Sequence, residues 1–216
     1  MPETPVQIAL RHAASFTPGP VLLLTPGPRG AGLLKKVTDS IPLTYVAFDS
    51  NPERLKDLPD SVYPVIGTAT RLPFRSRFFT TILSFEGLFS IRPPWTLLAE
   101  YHRVLVPDGK LFLFEPASEG LISGIRAKLL GPGKRVYKVD EVKKRLERAD
   151  YEILNVDPAN KMNEYPLPGY AIVAKKIYHP AEPAPAITTT REMKAKQKAH
   201  PGKTADAAPP VDDDQA

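Results

Sequence analysis

Two glycines and one aspartate stand where ligand chemistry needs them. Gly27 and Gly30 follow the apolar run VLLLT at 21–25 and precede a helix-forming stretch at 30–37. Glycine lets backbone approach a ligand, and a helix N-terminus offers unpaired N–H groups. The same residues, PGPRG, also read as a proline-rich structural turn, and both readings stand. Asp49 ends a second apolar run, LTYVAF at 43–48. A carboxylate at a strand tip can accept both hydroxyls of a ribose, as acidic residues do in dinucleotide folds. It can equally cap a helix opened by Pro52, as can Ser50 or Asn51, and the roles are compatible.

A third feature is charge. Between Arg126 and Arg148 nine basic residues face only Asp140, Glu141 and Glu147. Such a stretch can attract an anionic substrate, nucleic acid or lipid headgroups, or serve only as a solvated helix face. Tyr137 is the one aromatic residue in it, so base stacking is poorly supported and nucleic acid is the less favoured partner.

The elements that must position these residues alternate. Strand patterns lie at 21–25, 43–48, 63–67, 80–85, 110–115, 151–156 and 170–175. Helix patterns lie at about 6–15, 30–37, from Pro52, 94–106 and 139–149. PDG at 107–109 is expected to stop the fourth of these helices. Alternation of this kind predicts a Rossmann-like, doubly wound α/β sheet of seven strands, mainly parallel, with one antiparallel strand near the C-terminus. Ligands in such sheets bind beyond the carboxyl ends of the strands, where strand order reverses. The loops 25–30, 49–51, 67–70 and 85–90 therefore define the crevice, with Thr25, Gly27, Gly30, Asp49 and Ser50 on the first two. The helix at 6–15 is expected near the same crevice.

Composition sets the limits. With 216 residues and no cysteine, the chain has room for one good core and no disulfide or thiolate metal site. No metal site is expected. The start has neither a basic n-region nor an apolar h-region, and no run reaches the ~18 apolar residues of a membrane span, so a cytoplasmic protein is expected, with peripheral membrane contact left open. Residues 1–177 are read as the folded domain, with its core at 20–177. Residues 178–216, rich in Pro, Ala, Lys and Asp, bury too little apolar surface to order themselves and are read as a disordered tail.

Two longer stretches resemble a known family. VIGTATRLPFRSRFFTTILSFEGLFS (65–90) and LLAEYHRVLVPDGKLFLFEP (97–116) are similar to the type 11 branch of class I S-adenosylmethionine-dependent methyltransferases. There an acid and alanine precede LPF, and a helix ends in RVL-x-P before strand five. FDSNPERL (48–55) and KVDEVKKRLERADYEILNV (138–156) sit where the family has its acidic second motif and its late helix and strand. The resemblance spans about 20–175. It implies S-adenosylmethionine as cofactor, with Gly27 beside the methionine part, Asp49 on the ribose, and Thr68 and Ala69 reading the adenine edge. Phe85 and Glu86 would face the transferring methyl group, with Glu86 as candidate base ahead of His12 and His102. Several positions depart from the family: Leu23 replaces an acid, Thr25 and Arg29 replace glycines, and Thr68 and Phe79 each replace an aspartate.

The implied activity is methyl transfer to a small-molecule or lipid- or quinone-like acceptor, and a non-catalytic protein that keeps the fold for binding is the alternative. An apolar face at 121–130 (Leu121, Ile122, Ile125, Leu129, Leu130) suits either an acceptor lid or an ordinary amphipathic helix. Because the tail lacks apolar anchors, deleting residues 182–216 leaves the melting temperature within about a degree of the full chain by calorimetry. A drop of several degrees would show that the tail docks.

Overall fold

The computed structural model describes residues 5–12, 16, 18–24, 35, 37–117, 135–159 and 169–179. Thr25, Gly27, Arg29, Gly30, the apolar face at 121–130 and the tail beyond residue 179 lie outside them. The described elements are α1 (Pro5–Arg11), β1 (Val21–Leu24), β2 (Tyr45–Asp49), β3 (Val62–Ile66), β4 (Phe79–Phe85), α2 (Gly87–Ser90), α3 (Pro94–Val104), β5 (Leu105–Pro116), α4 (Val139–Glu147), β6 (Tyr151–Ala159) and β7 (Gly169–Lys176).

The seven strands form one sheet in the order β3-β2-β1-β4-β5-β7-β6. Pairing is parallel from β3 to β5, and β7 runs antiparallel to both of its neighbours, β5 and β6. This is the expected architecture. The central strands are buried on both faces, so they are continuous apolar runs whose alternate residues serve different cores. Val21, Leu23, Leu83, Phe85, Phe112 and Phe114 pack in one cluster with Ile8 and Ala9 of α1. Leu22, Leu24, Ile82, Leu111 and Leu113 pack in the other, with Leu97, Leu98 and Tyr101 of α3 and Val142 and Leu146 of α4.

Three local expectations change. Pro52 opens only a 3-10 turn, Pro52–Leu55, because Pro59 and a turn at 56–61 leave no room for a longer helix before β3. α3 ends at Val104 instead of 106, and PDG lies inside β5 as a bulge. Phe79 pairs with Leu105 and Thr81 with Lys110, so the intervening residues of β5 loop out, with Asp108 in the left-handed region at φ 59°. The α3 terminus is closed by a side chain of β7. Lys176 of β7, 6% exposed, donates through Nζ to the carbonyls of His102 at 2.7 Å and Leu105 at 2.9 Å. That places a cation at the negative end of the helix. Finally α1 ends at Arg11; Ile8 and Ala9 join the cluster of β1 and β4, and the helix also contacts β6, with Arg11 Nη2 3.0 Å from Asp157 Oδ2. No helix among the described residues is long and apolar enough to cross a membrane.

The connection from β3 to β4 has no helix of its own, so side chains must satisfy its backbone. Glu100 Oε2 accepts the Leu72 N–H at 2.7 Å, while Arg103 donates to the Phe74 carbonyl at 2.7 Å and the Leu72 carbonyl at 2.9 Å. The same guanidinium pairs with Glu100 at 2.8 and 2.7 Å. Hydrogen bonds to charged groups contribute about 1.5–3 kcal/mol, and Arg103 is about one-third exposed, which puts the loss for Arg103→Ala near the low end, at about 2 kcal/mol. At 2–4 °C per kcal/mol for a domain of this size, the melting temperature falls by about 4–8 °C. Arg103→Lys recovers little of it, because one ammonium cannot span both carbonyls and the carboxylate. Thermal denaturation of the two variants checks both statements.

Candidate functional site

Strand order reverses between β1 and β4. Leu24, the last residue of β1, pairs with Phe48 on one side and Ser84 on the other. Asp49 and Phe85 therefore flank the next position and share one face of the sheet. With strands ~4.8 Å apart, their backbones stand about 10 Å from each other across the mouth of the crevice.

Asp49 is 4% exposed. Its Oδ1 accepts the Asn51 N–H at 2.9 Å and the Arg54 Nη1 at 3.4 Å. Its Oδ2 is enclosed and has no hydrogen-bond partner. Burial raises the carboxyl's pKa above the ordinary value, and the Asn51 N–H and Arg54 act against that rise. The helix-cap role falls to Asn51, whose side chain accepts the Glu53 N–H at 3.0 Å. One oxygen of Asp49 thus orients the 49–54 turn, and the other keeps an unmet acceptor. Such a group costs about 1–3 kcal/mol until a donor reaches it. Two adjacent ribose hydroxyls are donors of the right kind for that one oxygen.

Ser50 is exposed beside Asp49. β3 ends at Ile66, paired with Asp49, and the Gly67 N–H donates to the Asp49 carbonyl at 3.2 Å. Glycine is needed there, since a Cβ would lie 2.9 Å from the Phe48 ring. Thr68, exposed, and Ala69, half-buried, follow on this turn. On the other side Phe85 is buried, with its ring stacked 4.7 Å from that of Phe114. Glu86 follows in the left-handed region, φ 59° and ψ 27°, and is 8% exposed. Its N–H donates to the Phe114 carbonyl at 2.7 Å.

The two histidine candidates are placed elsewhere. His12 lies beside Asp157, 3.5 Å from Oδ2, and against the edge of Phe112. His102 is in the last turn of α3, with its ring against Tyr151. Neither belongs to the crevice. The departures at Leu23 and Phe79 are packing residues. Leu23 is fully buried between Ala47 and Leu83, and Phe79 meets Phe74 edge-on at 4.9 Å.

Sequence reasoning missed Glu115, which ends the inner part of β5 and is 2% exposed. Its two oxygens accept the N–H groups of Leu88 at 2.9 Å and Phe89 at 3.1 Å, so it caps α2 from below. Gly87 completes the fit, because a Cβ there would collide with Ser84 Oγ, which accepts from the Tyr101 hydroxyl at 2.8 Å. Desolvation pushes the Glu115 carboxyl up to about 8; the backbone N–H groups oppose this and neighbouring Glu86 adds to it. The only signal in the sequence was an acid closing the apolar run KLFLF.

Comparison with known proteins agrees with this fold. Residues 25–113 match the family model described as a methyltransferase domain. A putative methyltransferase from Bacillus halodurans shares the fold at a TM-score of 0.65 and 18% identity, over 79% of this chain and 98% of that one. A geranyl diphosphate methyltransferase in complex with S-adenosylmethionine does so at 0.64 and 12%, over 80% and 84%. The [4+2]-cyclase SpnF does so at 0.64 and 14%, over 81% of each chain. No curated protein matches. The fold is that of the S-adenosylmethionine-dependent methyltransferases. The match to the methyltransferase-domain model spans residues 25–113 of the 216.

Glu115 gives a pH test of the site's construction. A carboxyl whose folded pKa is raised binds its proton more tightly when folded. Its stabilisation is complete below about 4.5 and is lost as pH rises through about 8. Chemical denaturation between pH 5 and 8 shows stability falling with pH, by up to about 1.4 kcal/mol per unit. Glu115→Gln, which stays neutral and keeps one acceptor, flattens that slope.

Proposed function

We propose that this chain binds S-adenosylmethionine across the carboxyl ends of β1 to β4 and, in the cytoplasm, transfers its methyl group to a small-molecule or lipid-like acceptor. The observation that carries the reading is the enclosed, unpartnered Oδ2 of Asp49 at the tip of β2, beside the strand-order reversal. In this reading Asp49 accepts the ribose hydroxyls with Ser50 beside it, and Thr68 and Ala69 meet the adenine edge. Thr25, Gly27 and Gly30 line the methionine end. Phe85 and Glu86 face the transferred group.

When bound, S-adenosylmethionine supplies a methyl group already activated on a sulfonium. The protein's share is then alignment and exclusion of water. Buried Phe85, stacked on Phe114, provides a rigid apolar wall for both. Glu86 is held at the reacting end by its strained backbone and by the Glu115 cap on the following turn. It would take a proton only from an acceptor that must lose one.

A second reading has one observation in its favour. Leu23, where the family has an acid for the donor's ammonium end, is a fully buried core residue. A chain that has exchanged that acid for packing could bind a nucleoside-like ligand without transferring a methyl group. Restoring an acid at Leu23 would bury a charge among apolar side chains, so that reversal cannot serve as a test.

Asp49→Asn can. It keeps an acceptor for the Asn51 N–H and exchanges the unpartnered oxygen for an unpartnered amide nitrogen of the same size, so the melting temperature stays close to that of the wild type. Binding of S-adenosylhomocysteine, read by calorimetry, weakens by about tenfold or more, because charge-assisted bonds are worth about 1.5–3 kcal/mol. Equal binding by the variant would remove Asp49 from the cofactor site. Wild-type binding without turnover over a panel of acceptors would favour the second reading.

A further inference from the structure

Two aromatic rings and three arginines converge beyond the carboxyl ends of β4 and β5. Trp95 lies in the first turn of α3. Tyr137 follows the β5–α4 connection and forms a parallel bridge with Ala117, just past β5. The rings meet edge-on at 5.0 Å, and the Tyr170 hydroxyl donates to the Tyr137 carbonyl at 3.4 Å. Over Tyr137 stand the guanidinium groups of Arg92 at 5.9 Å and Arg135 at 5.1 Å, and over Trp95 stands that of Arg145 at 5.0 Å. The arginines come from the turn after α2, from the segment before α4 and from α4 itself.

This differs from a solvated basic face, where cations spread out and pair with acids along one helix. Arg135 has one carboxylate, Glu141, at 3.9 Å. Among the described residues neither Arg92 nor Arg145 has any; Arg92 Nη1 donates to the carbonyls of Leu88 and Ile91, both at 2.9 Å. Stacking on rings orients a guanidinium without cancelling its charge. An oriented planar fork is the side chain that matches phosphate oxygens in pairs. The rings do not serve as base-stacking platforms, since Tyr137 is only 5% exposed and guanidinium groups stand over both. Arg92 follows directly on α2, so the cluster borders the turn that carries Glu86.

We propose that Arg92, Arg135 and Arg145, held on Trp95 and Tyr137, bind the phosphate group of a phosphorylated small molecule, the acceptor's anionic end. The role as acceptor site rests on the methyl-transfer reading; the anion site itself does not. Bidentate phosphate contacts from two or three pre-oriented arginines give selectivity for phosphate over chloride that a diffuse positive field does not.

Trp95 is the chain's single tryptophan, so intrinsic fluorescence reports on this cluster alone. The full chain is titrated with inorganic pyrophosphate at constant ionic strength, with calorimetry as a second readout. A saturable change in Trp95 emission is expected, with none from chloride. Arg135→Gln combined with Arg145→Gln weakens pyrophosphate binding by about tenfold or more, leaving S-adenosylhomocysteine affinity and melting temperature as in wild type. No saturable response to pyrophosphate, or equal binding by the double variant, overturns the site. So does tighter binding of a single-stranded oligoribonucleotide than of pyrophosphate, which would make the patch a polyanion surface. Pyrophosphate binding without S-adenosylhomocysteine binding supports the anion site and overturns the methyl-transfer reading. The converse overturns the anion site alone.

Discussion

The Glu100–Arg103 pair on α3 holds the half of the crevice that nothing else in the fold would hold. The chain between β3 and β4 runs without a helix, so its polar backbone has no ladder to join. Arg103 and Glu100 provide donors and an acceptor in one rigid unit, and Leu72 and Phe74 are fixed on it. Fixing Phe74 places its ring between Phe48 and Phe79, at 6.0 and 4.9 Å. Phe48 in turn sits under Gly67, where the chain turns from β3 toward Thr68 and Ala69. The pocket side of β2 and β3 is therefore set by an ion pair on a helix of the opposite core, through three aromatic rings. This is also why LPF and RVL occur together: each stretch supplies one half of the same contact.

Two buried carboxylates at the strand ends divide the remaining work. Glu115 has both oxygens bonded to backbone N–H groups of α2, and its job is finished within the protein. Asp49 has one oxygen bonded and one enclosed without a donor. The first arrangement stabilises a turn, and the second leaves an acceptor unmet. Both have raised pKa values through burial, so the shift alone does not separate structure from function. The hydrogen-bond accounting separates a carboxyl satisfied within the protein from one that is not.

The sheet was legible because its evidence is local. Apolar runs of four to seven residues, broken by Gly, Pro and Asp, set the strands and their order of appearance, and handedness rules limit how parallel strands connect. Asp49 was legible for the same reason, being the first polar residue after such a run. The boundaries were less so: the 3-10 turn at Pro52 and the bulge at 106–109 depend on how far the next strand has to travel. The tertiary devices left almost no trace. Glu115 looks like a strand's last residue, Lys176 like one of a charged pair at a strand's end, and the arginine–aromatic cluster draws on three separated segments. Only the excess of Lys and Arg at 126–148 hinted at it, and Arg92 and Trp95 lie outside that stretch.

Chemistry on this fold has to be argued from the site, because the same sheet carries both methyltransferases and a [4+2]-cyclase at nearly equal structural similarity. What the sheet guarantees is a crevice with its polar groups at strand ends and its apolar wall behind. Asp49 gives that crevice one enclosed acceptor with no partner in the protein. Further along the rim stand Phe85, Glu86 and the turn capped by Glu115. A buried leucine at position 23 belongs to the core between β2 and β4, so the polar chemistry on this side of the reversal falls to Asp49.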